Sequence, residues 1–148
     1  MSFAIDVNIL LYASDQGSEF NSRAVRFLKS CVRGSEAFCL GWPTLMSYMR
    51  IATHPAVFAQ PLTPAAAVSN ITALLATPYV RVLSEDEGFW DHYQDVTRGV
   101  PTRGNYVPDA HLAALLRQHG VRTLYTLDRD FRKFDFLEVR DPFEGMER

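Results

Sequence analysis

Phe3-Ala4-Ile5 is an apolar run that stops abruptly at Asp6, and apolar character resumes at Ile9-Leu10-Leu11-Tyr12. A strand this short, with no polar alternation, has no wet face, so it predicts burial on both sides. A carboxylate at the end of such a strand is costly unless a cation meets it. The apolar run after it predicts a helix, and strand–acid–helix is how open α/β sheets place a site, outside the carboxyl ends of their strands. The fold must therefore bury this strand, and the site depends on what else reaches its end.

The remaining chain repeats the alternation. Glu19–Val32 predicts an amphipathic helix, with Phe20, Ala24, Phe27, Leu28 and Cys31 recurring at steps of three and four. Ala37–Leu40 predicts a second strand, Thr44–Thr53 a helix with Pro43 at its first position, and Ala65–Ala76 an Ala-rich helix. Val80–Leu83 predicts a third strand. Ser84 and Glu87 have the spacing of a capping box for the helix that carries Phe89, Trp90 and Tyr93. Tyr106–His119 predicts a helix closed by Gly120, Leu124–Thr126 a fourth strand, Asp128–Phe134 a turn of short helical character and Phe136–Val139 a fifth strand. Strands alternating with helices indicate an α/β layered fold around a mainly parallel sheet of about five short strands.

At 148 residues, residues 1–148 are expected to form one domain with a real core. No apolar run approaches the ~20 residues of a membrane helix, and the N-terminus lacks the pattern of a secretory signal. Cys31 and Cys39 are expected to be idle thiols of a reducing compartment, which places the protein in the cytoplasm. The net charge of −2 does not announce nucleic-acid binding. With four of the 17 acids gathered around a metal, however, the 15 Lys and Arg would outnumber the acids left on the surface.

Two further acids stand out. Asp109 falls near the start of the 106–119 helix. It either compensates the helix dipole or belongs to a site; it shares the buried stripe of Leu112, Ala113 and Leu116, which favours the site. Asp128 and Asp130 follow the fourth strand as Asp6 follows the first. Acid is common in turns, so position rather than identity singles them out. Thr126 is either a strand residue or a hydroxyl that orients a neighbouring carboxylate. Three acidic points at one sheet edge repel one another and call for a cation. All-oxygen ligands without clustered Cys or His select Mg2+, with Mn2+ as a substitute. The chemistry implied is metal-assisted hydrolysis of a phosphodiester.

The segments FAIDVNILLYA, WPTLMSYMRIATHPAVF, TRGNYVPDAHLAALLRQHG and LYTLDRDFRKF, in this order, resemble the PIN-domain ribonucleases of the VapC toxin type. The resemblance implies a PIN-like three-layer α/β/α sandwich and a magnesium-dependent endoribonuclease acting as the toxin of a toxin–antitoxin pair. It also implies a homodimer held inactive by a cognate VapB-type antitoxin. The family's acids fall on Asp6, Asp109 and Asp128 as metal ligands, with Asp130 as an additional catalytic acid close by.

One position departs from the family pattern. Ser47 stands where the family commonly carries a Glu, in Ser47-Tyr48-Met49-Arg50-Ile51. A serine supplies no charge, although it can hold a metal-bound water. A second function thus stays open: a PIN-like binding module, catalytically weakened or inactive. A third, a phosphatase with Asp6 as nucleophile, is disfavoured because Asn8 stands where such enzymes want a second acid. Arg50, Arg103 and Arg129 are candidate contacts to RNA phosphates, against the alternative of solvated charges; Arg132 and Lys133 sit beside Arg129. Asn8 is a helix-start residue or a support to the site. His111, two positions past Asp109, is expected to point away as a surface or hydrogen-bonded histidine. Trp42 and Trp90 are expected as core or interface anchors.

Overall fold

The computed structural model describes residues 1–148. Its strands are β1 (Ser2–Ile5), β2 (Ala37–Gly41), β3 (Val80–Leu83), β4 (Thr123–Tyr125) and β5 (Glu138–Arg140). Its helices are α1 (Val7–Ser14), α2 (Asn21–Arg33), α3 (Trp42–Ala52), α4 (Pro64–Leu75), α5 (Phe89–Thr97) and α6 (Tyr106–Gln118), with a 3₁₀ turn at Arg129–Lys133. The five strands form one sheet in the order β3-β2-β1-β4-β5, and every pairing is parallel. β1 is central, with Ala4 opposite both Cys39 of β2 and Leu124 of β4.

The pleat divides the core in two. Ala4, Cys39, Leu83 and Leu124 pack on one side with Val96 of α5 and the buried Ala110 and Leu112–Leu116 of α6. Ile5, Phe38 and Leu40 pack on the other with Ile9, Leu10, Phe27, Leu45 and Tyr48, from α1, α2 and α3. Helices on both faces of a parallel sheet make the α/β/α sandwich that the sequence suggested. The two layers meet closely at Gly41, where a Cβ would stand 2.9 Å from Leu115 Cδ2. β2 therefore ends in glycine so that α6 can lie against it.

Several local expectations are corrected. Ser84 and Glu87 do not form a capping box. α5 starts at Phe89 behind Gly88, whose φ of +86° ends the preceding turn without any side-chain cap. The residues before it are instead held by α6, whose Gln118 bonds the Asp86 N–H and the carbonyls of Asp86 and Glu87. α6 does begin at Tyr106, as expected, so Pro108 occupies its third position, where the missing N–H costs nothing. Pro43 follows Trp42 as the second residue of α3. β5 lies at Glu138–Arg140, two residues later than its apolar pattern suggests. Neither tryptophan is a core anchor: Trp42 and Trp90 are 43% and 64% exposed. Both cysteines are free and buried. No helix is long and apolar enough to cross a membrane.

Candidate active site

β1 pairs with β2 on one side and with β4 on the other, so the strand order reverses direction next to β1. Crevices at such a reversal, outside the carboxyl ends of the strands, are where ligands bind in open α/β sheets. Asp6 and Asp128 both leave the sheet there. Asp6 N–H still donates to Tyr125 O at 3.0 Å, which extends the β1–β4 ladder by one residue before the chain turns into α1.

Asp6 caps α1, and its Oδ1 accepts the Val7 N–H at 2.7 Å. Its other oxygen, Oδ2, accepts a 2.8 Å hydrogen bond from Thr126 Oγ1. The same hydroxyl accepts from Asn8 Nδ2 at 3.1 Å and from the Asp128 N–H at 3.0 Å. Both acceptor sites of the oxygen are thus filled, and its single proton is aimed at Asp6. Asp128 Oδ1 accepts the Asp130 N–H at 2.9 Å and caps the 3₁₀ turn. Asn8 and Thr126 therefore act on the acids through hydrogen bonds. The Asn8 side-chain oxygen remains buried with no hydrogen-bond partner.

Asp6 is only 9% exposed, and burial raises its pKa despite the Thr126 and Val7 hydrogen bonds, with the Asp128 charge adding to the rise. Asp109 lies in the first turn of α6. Burial pushes its carboxyl up to about 6; the charges of Asp128, Asp6 and Asp130 reinforce this, and Lys133 opposes it. Asp6, Asp109, Asp128 and Asp130 thus share one electrostatic neighbourhood. Asp6 and Asp109 face the same cleft, which Val7, Pro43, Thr44, Ser47, Val107, Pro108, His111, Leu112 and Phe131 complete. Asp130 is exposed, and neither it nor Asp128 lines the cleft.

The other candidates divide. Ser47 lines the cleft beside Asp6 and Asp109. Arg50, Arg103 and Arg129 are exposed and form no ion pair; none lines the cleft. His111 is the hydrogen-bonded histidine expected, its ring bonded to Glu85 and edge-on to Phe89, although the residue also lines the cleft. Lys133, which pattern alone does not separate from its basic neighbours, places Nζ 3.9 Å from Asp109 Oδ2. The only sequence signal for it is the spacing of the buried Phe131 and Phe134, which anchors the turn that carries it.

No three acidic or sulfur- or imidazole-bearing side chains close into a ready-made metal cage. The residues nevertheless fit a hard divalent cation. Every candidate donor is oxygen, the mutual repulsion is relieved only in part by Lys133 beside Asp109, and magnesium is usually held through one or two carboxylates with waters completing its shell.

A parallel five-stranded sheet flanked by helices, with acids at its point of reversal, is the α/β/α sandwich that the PIN-like resemblance of the sequence implies. The family model described as "PIN domain" matches residues 3–137, and the chain belongs to that family. It is 43% identical to Ribonuclease VapC48 of Mycobacterium tuberculosis strain H37Rv, over 98% of this chain and all of that protein. It is 31% identical to Ribonuclease VapC37 of the same strain, over 93% of this chain and 95% of the relative. The family branch is thus that of the VapC ribonucleases. Among solved structures, M. tuberculosis VapC20, titled a sarcin–ricin loop cleaving toxin, superposes with a TM-score of 0.66 at 20% identity. That match covers 94% of this chain and 99% of the other. VapBC2 of Rickettsia felis, bound to promoter DNA, gives a TM-score of 0.69 at 13% identity, covering 95% and 98%. These two likenesses concern the fold.

Proposed function

We propose that the protein is a magnesium-dependent endoribonuclease and the toxin of a toxin–antitoxin pair. The observation that carries this reading is the shared field of Asp6, Asp109 and Asp128 at the sheet reversal, in a chain 43% identical to a named ribonuclease. Asp6, Asp109 and Asp128 would hold the ion, with Asp130 a further acid close by. A bound divalent ion would lower the pKa of a water and stabilise the oxygens of the reacting phosphodiester.

The chain's own residues supply the rest. Thr126 fixes the orientation of the Asp6 carboxylate, and Asn8 fixes Thr126. Hydrolysis joins a water oxygen to phosphorus as the bond to one ribose oxygen breaks, and the proton lost by the water returns to that oxygen through solvent. Arg50, Arg103 and Arg129 are free to meet RNA phosphates around the cleft. Relatives of the fold include complexes titled VapBC, which supports a VapB-type antitoxin as partner. The exposed Trp42 and Met46 of α3 suit a homodimer contact. Two free thiols and no membrane-spanning helix fit a cytoplasmic protein.

Ser47 favours a second reading, a PIN-like module that binds partners and has weak or no catalysis. Two assays separate the readings: cleavage of total RNA with Mg2+ or with EDTA, and calorimetric titration with Mg2+. The nuclease cleaves only with Mg2+, and Asp6→Asn does not cleave. Equal cleavage by wild type and Asp6→Asn would remove the nuclease reading, whereas partner binding without ion binding or cleavage would favour the module.

A further inference from the structure

Of the six ion pairs in the molecule, only Lys133–Asp109 involves an acid of the cleft. The Lys133 ammonium is buried and donates no hydrogen bond. Its Nζ stands 3.8 Å from the centroid of the Tyr106 ring and 5.3 Å from that of Phe134. An ammonium carries three donors, and burying it unpaired is costly. What compensates is the Asp109 carboxylate at 3.9 Å, with the negative face of the Tyr106 ring against the nitrogen. The backbone delivers it there. Asp128 caps the 3₁₀ turn, Phe131 and Phe134 anchor that turn in the core, and Lys133 lies between them, directed at the first turn of α6.

The position has a counterpart in Ser47. The cleft lacks an acid where the family commonly has one, and a cation stands 3.9 Å from one of the two acids that line it. Four acids, one ammonium and one divalent ion leave a single negative charge. A second divalent ion would make the cluster net positive before any substrate arrived.

We propose that Lys133 Nζ takes the place of a second metal cation, so that the cleft binds a single divalent ion and Asp109 is held between that ion and Lys133. This rests on the metal-dependent reading above. Lys133 is a positioning residue, acting through Asp109.

The test is a Mn2+ titration of the purified protein without RNA, counting bound ions by electron paramagnetic resonance. Wild type and Lys133→Arg are expected to bind one Mn2+ per chain with similar affinity. Lys133→Met keeps the apolar stem against Tyr106 and Phe134 but removes the charge. It is expected to bind a second ion, or to hold the first about tenfold more tightly, because a like charge is gone from a low-dielectric site. Lys133→Gln serves the same purpose should the methionine variant not fold, and the wild-type count stands by itself should neither fold. Two ions in wild type, or an unchanged count and affinity in the uncharged variants, would overturn the proposal. No Mn2+ bound by wild type would instead overturn the metal-dependent reading, and this proposal with it.

Discussion

Thr126 Oγ1 donates to Asp6 Oδ2 at 2.8 Å, between residues 120 positions apart in the chain. Thr126 is 3% exposed. The bond joins the ends of β1 and β4, and it also positions Asp128, whose N–H donates to the same hydroxyl. One oxygen thus sets two of the acids relative to each other.

Removing that oxygen without changing the side chain's shape isolates its role. Thr126→Val leaves the Asn8 amide and the Asp128 N–H without their acceptor and Asp6 without a donor. The expected cost is about 2 kcal/mol of unfolding free energy, read as a lowered urea midpoint at unchanged slope. RNA cleavage is expected to fall about tenfold, as the acids lose their fixed orientation. Thr126→Ser keeps the hydroxyl and should retain most of both.

The raised pKa of Asp109 makes the metal-free protein sensitive to pH in an unusual direction. An unfolded aspartate titrates near pH ~3.9, whereas Asp109 titrates at about 6 in the folded chain, first because of burial and then because of Asp128. Between those values the folded chain holds more protons than the unfolded chain, so stability falls as pH rises and levels off above the window. Burial of Asp6 acts with the same sign. Glu85, whose pKa the His111 hydrogen bond lowers, acts oppositely and loses its stabilisation as pH falls. Comparing wild type with Asp109→Asn cancels the Glu85 contribution. In EDTA, Asp109→Asn should gain about 1–3 kcal/mol on wild type between pH 4 and pH 7. Urea midpoints at the two pH values measure it, and a gap that does not widen with pH would contradict the account.

Ser47 lines the cleft with Asp6 and Asp109 and brings no charge. Ser47→Glu adds a carboxylate where the family commonly has one. It should raise Mg2+ affinity about tenfold by calorimetry while lowering the melting temperature in EDTA, since another acid joins an already repulsive cluster. A variant with unchanged affinity would show that position 47 lies beyond reach of the ion.

Asp6→Asn separates chemistry from folding. The substitution removes a buried charge but turns one accepting oxygen into a donor facing the Val7 N–H or the Thr126 hydroxyl, so the two effects oppose and the melting temperature should change little. Cleavage of RNA should fall by ~100-fold or more. A large loss of stability would assign Asp6 to the fold rather than to the site.

Much of this architecture could be read along the chain because its elements are local. The run ending at Asp6, the 3.6-residue stripe of α2 and the breaks at Pro43 and Gly120 are patterns within a few residues. The Ser84–Glu87 spacing suggests a capping box, but the same spacing is common in turns. Here tertiary contacts from Gln118 of α6 and His119 just beyond it hold that loop, and Gly88 precedes the helix. The acids at 6 and 128 were legible from their mirrored positions after strands. The interaction of Asp109 with Lys133 was not, because it joins a helix to a 3₁₀ turn remote from it along the chain. Nor was the orientation of His111, which Glu85 on the β3–α5 connection fixes.

The most direct test of the central claim is an anomalous difference map from crystals grown with MnCl2. The account predicts one peak in the cleft, with carboxylate oxygens of the cluster, Asp6 among them, at about 2.1–2.2 Å, close to a magnesium-like distance. No peak in the cleft, or a manganese ion bound only elsewhere on the surface, would contradict it.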